Sequence, residues 1–252
     1  MKLIFTDIDG TLAIGKEVPA SAKEAIRKCR KKGDLVFVCT GRNITYVKNN
    51  FSEYADGFIT NNGRLVYYND KIIYAKPLTE EELDKILGQL KDLNVGAVFH
   101  GKDRGYYIGP EDLYETIKIV SDPGYMSIGL KEDEEYYNFD LCYYKLSQVP
   151  QIMEAFEGFC IVNPHDPHPS ADMTVLGSDK GDAIRAAAEI LHVDIDDVYA
   201  FGDGYNDICM FKAAGHSIAM GNAVKQAKEA AEYVTDDINN DGLAKGLQHF
   251  GL

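Results

Sequence analysis

Two carboxylates, Asp7 and Asp9, stand at positions i and i+2 directly behind the apolar run of residues 3–5. Because side chains alternate faces along a strand, both leave the same side of its carboxyl end, where open α/β sheets bind ligands. Two like charges this close require a cation or a shared proton. Gly10 permits a tight turn, and Thr11 offers a hydroxyl to a nearby carboxylate. The pattern indicates a cation or proton site or, alternatively, a strand that simply ends in an Asp- and Gly-rich turn.

Two further apolar runs end in polar residues. Residues 36–39 lead into Thr40, Gly41 and Arg42, ahead of a predicted helix at 44–51, and residues 198–201 lead into Gly-Asp-Gly-Tyr-Asn-Asp at 202–207. This second segment contains Asp203, Asn206 and Asp207 and opens another predicted helix. Each residue also fits an ordinary role as a helix cap or turn residue.

Lys180 stands at the start of an Ala-rich helix predicted over residues 182–191. A lysine at the amino end of a helix opposes the macrodipole, so its placement suggests an anionic partner. The alternative is a lysine that only faces solvent.

Taken in order along the whole chain, these segments resemble the four motifs of the haloacid dehalogenase superfamily, with a layout similar to its Cof-type, type IIB sugar-phosphatase branch. The matching positions are Asp7, Asp9, Thr40, Gly41, Lys180, Asp203, Asn206 and Asp207. No departure from the family pattern occurs at these positions.

The resemblance implies a Mg²⁺-dependent phosphatase that forms an aspartyl-phosphate. It assigns Asp7 as the nucleophile and Asp9 as the acid–base residue, with Asp7, the Asp9 backbone carbonyl and Asp203 as metal ligands. The phosphate contacts implied are Thr40, Gly41, Lys180 and Asn206, with Arg42 a further candidate, and Asp207 supports Lys180 or a metal-bound water. Arg42 and Asn62 could also serve structure alone. Small phosphorylated metabolites, sugar phosphates first among them, are the expected substrates.

Two other functions stay open at this point. A phosphomutase would return the phosphoryl group to a sugar, and the resemblance extends to such enzymes. A non-catalytic regulator would bind the phosphorylated metabolite without hydrolysing it. Loss of a nucleophile or metal ligand is the expected mark of a regulator, and the sequence shows no such loss.

The amino-acid composition argues against some classes of binding partner. The formal charge of −14 argues against nucleic acid or an anionic membrane as a partner, because both attract basic surfaces. The five cysteines are odd in number and lack a Cys-x-x-Cys spacing, so we expect free thiols in a reducing cytoplasm. No apolar stretch is long enough to predict a membrane span.

The segment at residues 164–169 contains His165 and His168, for which a rigid turn is a better interpretation than a transition-metal site.

The order of predicted strands and helices along the chain indicates two domains. Strands and helices alternate over residues 1–79 and 177–252, which is typical of a doubly wound, mainly parallel, Rossmann-like α/β sheet. Residues 80–176 contain a predicted helix followed by strand runs with short helices, which indicates an inserted α+β cap domain that would select the substrate. The predicted hinges lie near residues 77–79 and 177–179. Residues 12–20 are too few to hold a cap, so the insertion must follow the third core strand.

Overall fold

A computed structural model describes residues 1–120 and 124–252 of the chain. The described chain divides into two compact units. The first unit comprises Met1–Thr40, Val47–Ala75 and Asp179–Leu252, and the second comprises Gly41–Tyr46 and Lys76–Ser178. The short segment Gly41–Tyr46 thus belongs to the second unit, although the sequence pattern placed it with residues 1–79.

The strands follow one another along the chain as β1 Leu3–Thr6, β2 Leu35–Cys39, β3 Gly57–Thr60, β4 Leu65–Tyr68, β5 Lys71–Ala75, β6 Gly96–His100, β7 Gly105–Ile108, β8 Met126–Ile128, β9 Asn138–Cys142, β10 Cys160–Pro164, β11 Ser170–Val175, β12 Val198–Gly202, β13 His216–Ala219 and β14 Tyr233–Val234. The α-helices are α1 Ala20–Lys31, α2 Ile44–Phe51, α3 Glu80–Leu90, α4 Glu111–Val120, α5 Val149–Ala155, α6 Lys180–Ile190, α7 Ile208–Ala213, α8 Lys225–Ala230 and α9 Gly242–His249.

The sheet of the first unit has the strand order β14-β13-β12-β1-β2-β3-β4-β5 within the described residues. Neighbouring strands from β14 to β3 run parallel, and β4 and β5 add an antiparallel edge. All four residues of β1 are buried, as expected of a parallel strand covered on both faces. The predicted doubly wound α/β fold is confirmed, and the antiparallel edge is an addition that the sequence pattern did not indicate.

Strand order places the polar segments side by side. β12, β1 and β2 are adjacent and parallel, so their carboxyl ends lie at the same edge of the sheet. Asp203 follows β12, Asp7 follows β1 and Thr40 follows β2. This edge is the usual ligand position of an open α/β sheet.

The second unit is built on a sheet of order β10-β11-β9-β6-β7-β8 in the described chain. One face packs its apolar residues, Phe99 and Phe139 among them, against α3 and α5 through Ile86 and Ile152. Part of the other face packs against α4 through Leu113. Four of the five neighbouring strand pairs in this sheet run antiparallel, and β7 and β8 run parallel.

Capping explains where two helices begin. At the start of α3 the Thr79 hydroxyl accepts the N–H of Glu82, whose carboxylate accepts the N–H of Thr79. Asp179 and Asp182 form the same reciprocal pair at the start of α6. Each reciprocal pair, a capping box, satisfies backbone N–H groups that have no partner within the helix. The capping box of α6 also fixes the position of Lys180, the first residue of that helix.

Two further sequence expectations concern cysteines and membranes. The five cysteines are all free thiols. Across the described part of the chain, no helix combines the length and apolarity that a membrane crossing requires.

Candidate active site

Lys180 joins two carboxylates in the interior of the first unit. Its Nζ atom donates to Asp7 Oδ1 at 2.7 Å and to Asp207 Oδ1 at 2.8 Å. Lys180 and Asp207 are almost wholly buried, and 12% of the Asp7 side chain is exposed. Such a buried ammonium requires both carboxylates, because an unpaired charge at this depth costs several kcal/mol. The pairing therefore fixes the orientation of Asp7.

Asp207 also fixes the loop that follows β12. Its second oxygen accepts the backbone N–H groups of Asp203 and Gly204, each at 2.9 Å. A Cβ atom on Gly202 would lie 2.5 Å from the Asp207 Cβ, so the strand end has room only for glycine. One buried carboxylate thus holds both Lys180 and the Asp203 segment.

Asp203 is positioned by two side chains. Thr11 donates from Oγ1 to Asp203 Oδ1 at 3.1 Å, as the sequence suggested that Thr11 would do for a nearby carboxylate. Asn222 donates from Nδ2 to Asp203 Oδ2 at 3.3 Å and to the Gly10 carbonyl at 2.8 Å. These hydrogen bonds connect the segment after β12 to the segment after β1.

Gly10 provides the space that Asp203 occupies. Its φ of +83° lies in the left-handed region that glycine adopts without strain. A Cβ atom at this position would stand 2.4 Å from Asp203 Oδ2 and 2.9 Å from its Cγ. The turn after β1 therefore requires glycine for its conformation and for the approach of Asp203.

The electrostatics show an excess of negative charge. Burial, together with the charges of Asp207 and Asp203, raises the pKa of Asp7 to about 8, against the lowering effect of Lys180. Burial and the charge of Asp207 raise the pKa of Asp203 to about 6. Burial alone would lower the pKa of Lys180, but Asp207 and Asp7 raise it well above its ordinary value. Three carboxylates face one ammonium, so a further cation would stabilise the cluster.

The donor set fits a divalent cation that prefers hard oxygen ligands. Carboxylate oxygens of Asp7, Asp203 and Asp207 lie within 4.8 Å of one another. The hydrogen bonds of Asp207 to Lys180 and to two N–H groups leave Asp7 and Asp203 as the better ligands. Mg²⁺ prefers oxygen ligands of this kind and retains several waters.

The other predicted site residues lie in several parts of the structure. Asp9 is exposed and belongs to the turn after β1, while Asn206 is exposed on the short helical turn Tyr205–Asp207 that precedes α7. Thr40 is buried at the carboxyl end of β2, where its N–H donates to the Ile59 carbonyl at 2.9 Å. Gly41 and Arg42 belong to the second unit, in which the Arg42 guanidinium lies 4.5 Å from the centre of the Tyr46 ring.

The predictions at Asn62 and at the two histidines have structural outcomes. Asn62 is buried, with its N–H donating to the Thr40 carbonyl at 3.3 Å. Of the described His, Cys, Asp and Glu residues, only the Asp7 cluster forms a group close enough to hold a metal ion. His165 is engaged by Ser170 and Asp172, and the transition-metal interpretation of His165 and His168 gains no support.

Asn222 was not indicated by the sequence analysis. It follows β13, the strand next to β12, and its Oδ1 accepts the N–H of Ile238 at 3.0 Å. The same rule that identified Asp7 and Asp203, a polar residue just beyond the carboxyl end of a parallel strand, could have identified it.

The chain matches known proteins over its whole length. The family model for haloacid dehalogenase-like hydrolases matches residues 4–247. YkrA of Bacillus subtilis (strain 168), provisionally named a phosphatase, is 32% identical over 266 residues, covering 100% of this chain and 98% of YkrA. YwtE of the same organism, named 5-amino-6-(5-phospho-D-ribitylamino)uracil phosphatase, is 26% identical to this chain. The match covers 97% of this chain and 96% of YwtE.

A solved structure supports the same assignment. BT4131, described as a HAD subclass IIB sugar phosphatase, is similar with a TM-score of 0.79 at 26% identity, covering 100% of this chain and 99% of the other. The resemblance drawn from the motifs, including its Cof-type branch, is confirmed. With the aspartate cluster at the carboxyl edge of the sheet, these matches establish that the chain belongs to the haloacid dehalogenase-like hydrolases and is a phosphatase of that superfamily.

Proposed function

We propose that this enzyme is a Mg²⁺-dependent phosphatase of small phosphorylated metabolites, chiefly sugar phosphates, and that it acts through an aspartyl-phosphate on Asp7. The observation that carries the proposal is the Asp7 carboxylate, held by Lys180 at 2.7 Å at the carboxyl end of β1. The name of YwtE refers to a phospho-D-ribitylamino compound, and BT4131 is described as a sugar phosphatase.

In the first step, an Asp7 carboxylate oxygen attacks phosphorus while the bond from phosphorus to the leaving oxygen breaks. Asp9 acts as the general acid in this step and gives a proton to the leaving alkoxide. Its exposed position in the turn after β1 leaves it accessible to a leaving group. The product alcohol departs, and the phosphoryl group stays on Asp7 as an acyl phosphate.

In the second step, Asp9 takes a proton from a water molecule whose oxygen attacks the same phosphorus. The bond between phosphorus and the Asp7 oxygen breaks, which releases inorganic phosphate and restores the Asp7 carboxylate. Asp9 regains the proton that it lost in the first step, so the cycle is balanced.

Cations and hydrogen-bond donors must offset the negative charge on the phosphoryl oxygens. We assign this role to Lys180, the hydroxyl of Thr40, the Gly41 N–H and Asn206, with Arg42 a further contact. Asp7, Asp203 and the Asp9 carbonyl would hold Mg²⁺, which when bound supplies charge neutralisation at the phosphate. Asp207 acts through Lys180 and the loop at 203–204.

The test combines turnover with detection of the intermediate. Asp7→Asn should abolish phosphate release because an amide does not attack phosphorus as a carboxylate does, and circular dichroism should stay unchanged. Acid quenching with a ³²P-labelled ester should label the wild-type protein at an acyl phosphate that hydroxylamine cleaves, and Asp7→Asn should stay unlabelled. Asp84→Asn, a change of the same type on the exposed face of α3, is the control.

Two results would count against the proposal. Near-normal phosphate release by Asp7→Asn removes Asp7 from the nucleophile role. Transfer of the label to a second hydroxyl of the sugar, with no inorganic phosphate released, identifies a phosphomutase instead.

A further inference from the structure

The Asn222 side chain joins segments that follow four neighbouring strands of the first unit. Its Nδ2 atom donates to the Gly10 carbonyl at 2.8 Å and to Asp203 Oδ2 at 3.3 Å, and its Oδ1 atom accepts the N–H of Ile238 at 3.0 Å. These three partners follow β1, β12 and β14, and Asn222 itself follows β13. The four strands are adjacent and parallel, so one side chain connects their carboxyl ends.

Only one orientation of the Asn222 amide satisfies all three contacts. The Ile238 N–H is a donor and must face Oδ1, whereas the Gly10 carbonyl and the Asp203 carboxylate are acceptors and must face Nδ2. An amide turned by 180° would place one N–H group against another and oxygen against oxygen. The Ile238 N–H therefore directs the Nδ2 donor toward Asp203.

The segment that carries the Ile238 N–H is held against the residue before Asn222. The Gly221 N–H donates to the Asp236 carbonyl at 2.9 Å. A Cβ atom on Gly221 would lie 2.6 Å from the carbonyl carbon of Asp236, closer than non-bonded carbon atoms approach. The two segments are thus packed backbone to backbone, which fixes the Ile238 N–H relative to the Asn222 side chain.

Asp203 needs such support because like charges surround it. Its carboxylate lies within 4.8 Å of carboxylate oxygens of Asp7 and Asp207, and their repulsion favours movement of Asp203 away from the cluster. Two donors oppose this movement, since the Thr11 hydroxyl holds Oδ1 at 3.1 Å and the Asn222 amide holds Oδ2. A carboxylate held among repelling charges is preorganised for a cation.

We infer that Asn222 is a positioning residue of the metal site, which holds Asp203 beside Asp7 and thereby sets the affinity for Mg²⁺. The segment at residues 236–238 contributes by orienting the Asn222 amide. This inference rests on the proposed metal dependence and adds a residue that lies outside the four motifs. It also links the segment beyond β14, which has no part in the assigned chemistry, to the phosphoryl-transfer centre.

The first test measures binding of Mg²⁺ alone to the metal-free protein by isothermal titration calorimetry. Loss of a residue that holds a metal ligand costs roughly 10- to 100-fold in affinity, and the bond to Asp203 is long at 3.3 Å, so Asn222→Ala should raise the Kd about tenfold. At saturating Mg²⁺ the bound ion itself holds Asp203, so kcat for p-nitrophenyl phosphate should return to within about threefold of wild type.

The exposure of Asn222 makes this variant informative, because truncation of an exposed side chain leaves no buried cavity. Asn240→Ala is the matched control. It truncates another exposed asparagine, two residues beyond Ile238, and should leave the Kd for Mg²⁺ unchanged. Thermal unfolding of the metal-free proteins should confirm that both variants are folded.

A second pair of variants isolates the contribution of the Ile238 N–H. Ile238→Pro removes this donor at the first residue of a short helical turn, where proline is tolerated, and Asp237 before it is extended with a ψ of 149°. Ile238→Ala keeps the N–H but also loses buried side-chain contacts. Ile238→Pro should raise the Kd for Mg²⁺ roughly threefold, as expected for one neutral hydrogen bond, and Ile238→Ala should not.

The outcomes separate the inference from the proposed function. Unchanged Mg²⁺ affinity in Asn222→Ala overturns the inference, whether or not kcat falls. A kcat that stays low at saturating Mg²⁺ also overturns it, because the loss then lies in the chemistry. Equal Mg²⁺ affinity in Ile238→Pro and Ile238→Ala overturns the role of the segment at 236–238. A wild-type protein that binds no Mg²⁺, or releases phosphate at full rate in excess chelator, overturns the proposed function itself.

Discussion

Replacing Gly10 by alanine should impair catalysis far more than it impairs folding. The new Cβ atom would stand 2.4 Å from Asp203 Oδ2, closer than any non-bonded carbon and oxygen atoms approach. To reach an ordinary contact of about 3.5 Å, Asp203 must move by roughly 1 Å. That displacement disturbs the hydrogen bonds from Thr11 and Asn222 and removes a carboxylate from its place beside Asp7.

The magnitude follows from two separate effects. A misplacement of about 1 Å costs on the order of 100-fold in rate, so kcat should fall by about that factor. The left-handed conformation of residue 10 costs an L-residue about 1–2 kcal/mol, which lowers the free energy of unfolding. Gly15 provides a matched control because its φ is +63° and a Cβ atom there meets nothing within 4 Å.

The assay measures phosphate release from p-nitrophenyl phosphate across a range of Mg²⁺ concentrations, together with thermal unfolding. Both Gly10→Ala and Gly15→Ala should lose stability, but only Gly10→Ala should lose activity and require more Mg²⁺. Equal activity in the two variants would refute the reasoning, because it would show that Asp203 has no fixed position to lose.

Three other predictions concern the leaving group, the metal and pH. Asp9→Asn should lose most activity on an alkyl phosphate and much less on an aryl phosphate, whose leaving group needs no proton; equal losses on both would argue against acid catalysis. Chelation should stop phosphate release and Mg²⁺ should restore it, with Ca²⁺ a poor substitute because of its larger shell, and full activity in excess chelator would contradict this. Burial lowers the pKa of His100, but the charge of Asp140 outweighs it and raises the pKa above its ordinary value. The resulting stability is present below about pH 6.5 and is lost as pH rises through the folded-state pKa, so the advantage of wild type over His100→Asn in thermal unfolding should shrink as pH rises above about 6.5. An advantage that grows with pH would be the contrary result.

The sequence was sufficient to locate a polar residue at the edge of the sheet where that residue directly follows a strand in the chain. Asp7, Thr40 and Asp203 each follow an apolar run, and the rule for parallel sheets places all three at one edge. The contact between Lys180 and Asp7 spans 173 residues, and no local pattern encodes such a pairing. The resemblance assigned Lys180 to the phosphate and did not include its contact with Asp7.

The sequence analysis did not predict the antiparallel edge of the sheet, although Asn69 and Asp70 are residue types that favour a turn between strands. Asn69 and Asp70 both have positive φ, which is typical of the two-residue turn that joins antiparallel strands. These two residues lie between the apolar segments of β4 and β5, where the pattern suggested only continued strand and helix alternation. The contact between His100 and Asp140 was not predicted for another reason, since residues 40 positions apart in the sequence meet only through the strand order.

The double attachment of Asp207 has an evolutionary consequence. Lys180 is held by two carboxylates, and one of them also holds the loop beyond β12, so none of these residues can be exchanged without affecting the others. Removing one partner of a buried ion pair costs about 3–5 kcal/mol, a large part of the 5–15 kcal/mol that keeps a typical protein folded. A single exchange of Lys180 or Asp207 therefore leads to a poorly folded intermediate even where a double mutant would be sound. Strong epistasis of this kind confines sequence drift to other parts of the chain, and new substrate preferences must arise there while the phosphoryl-transfer centre stays fixed.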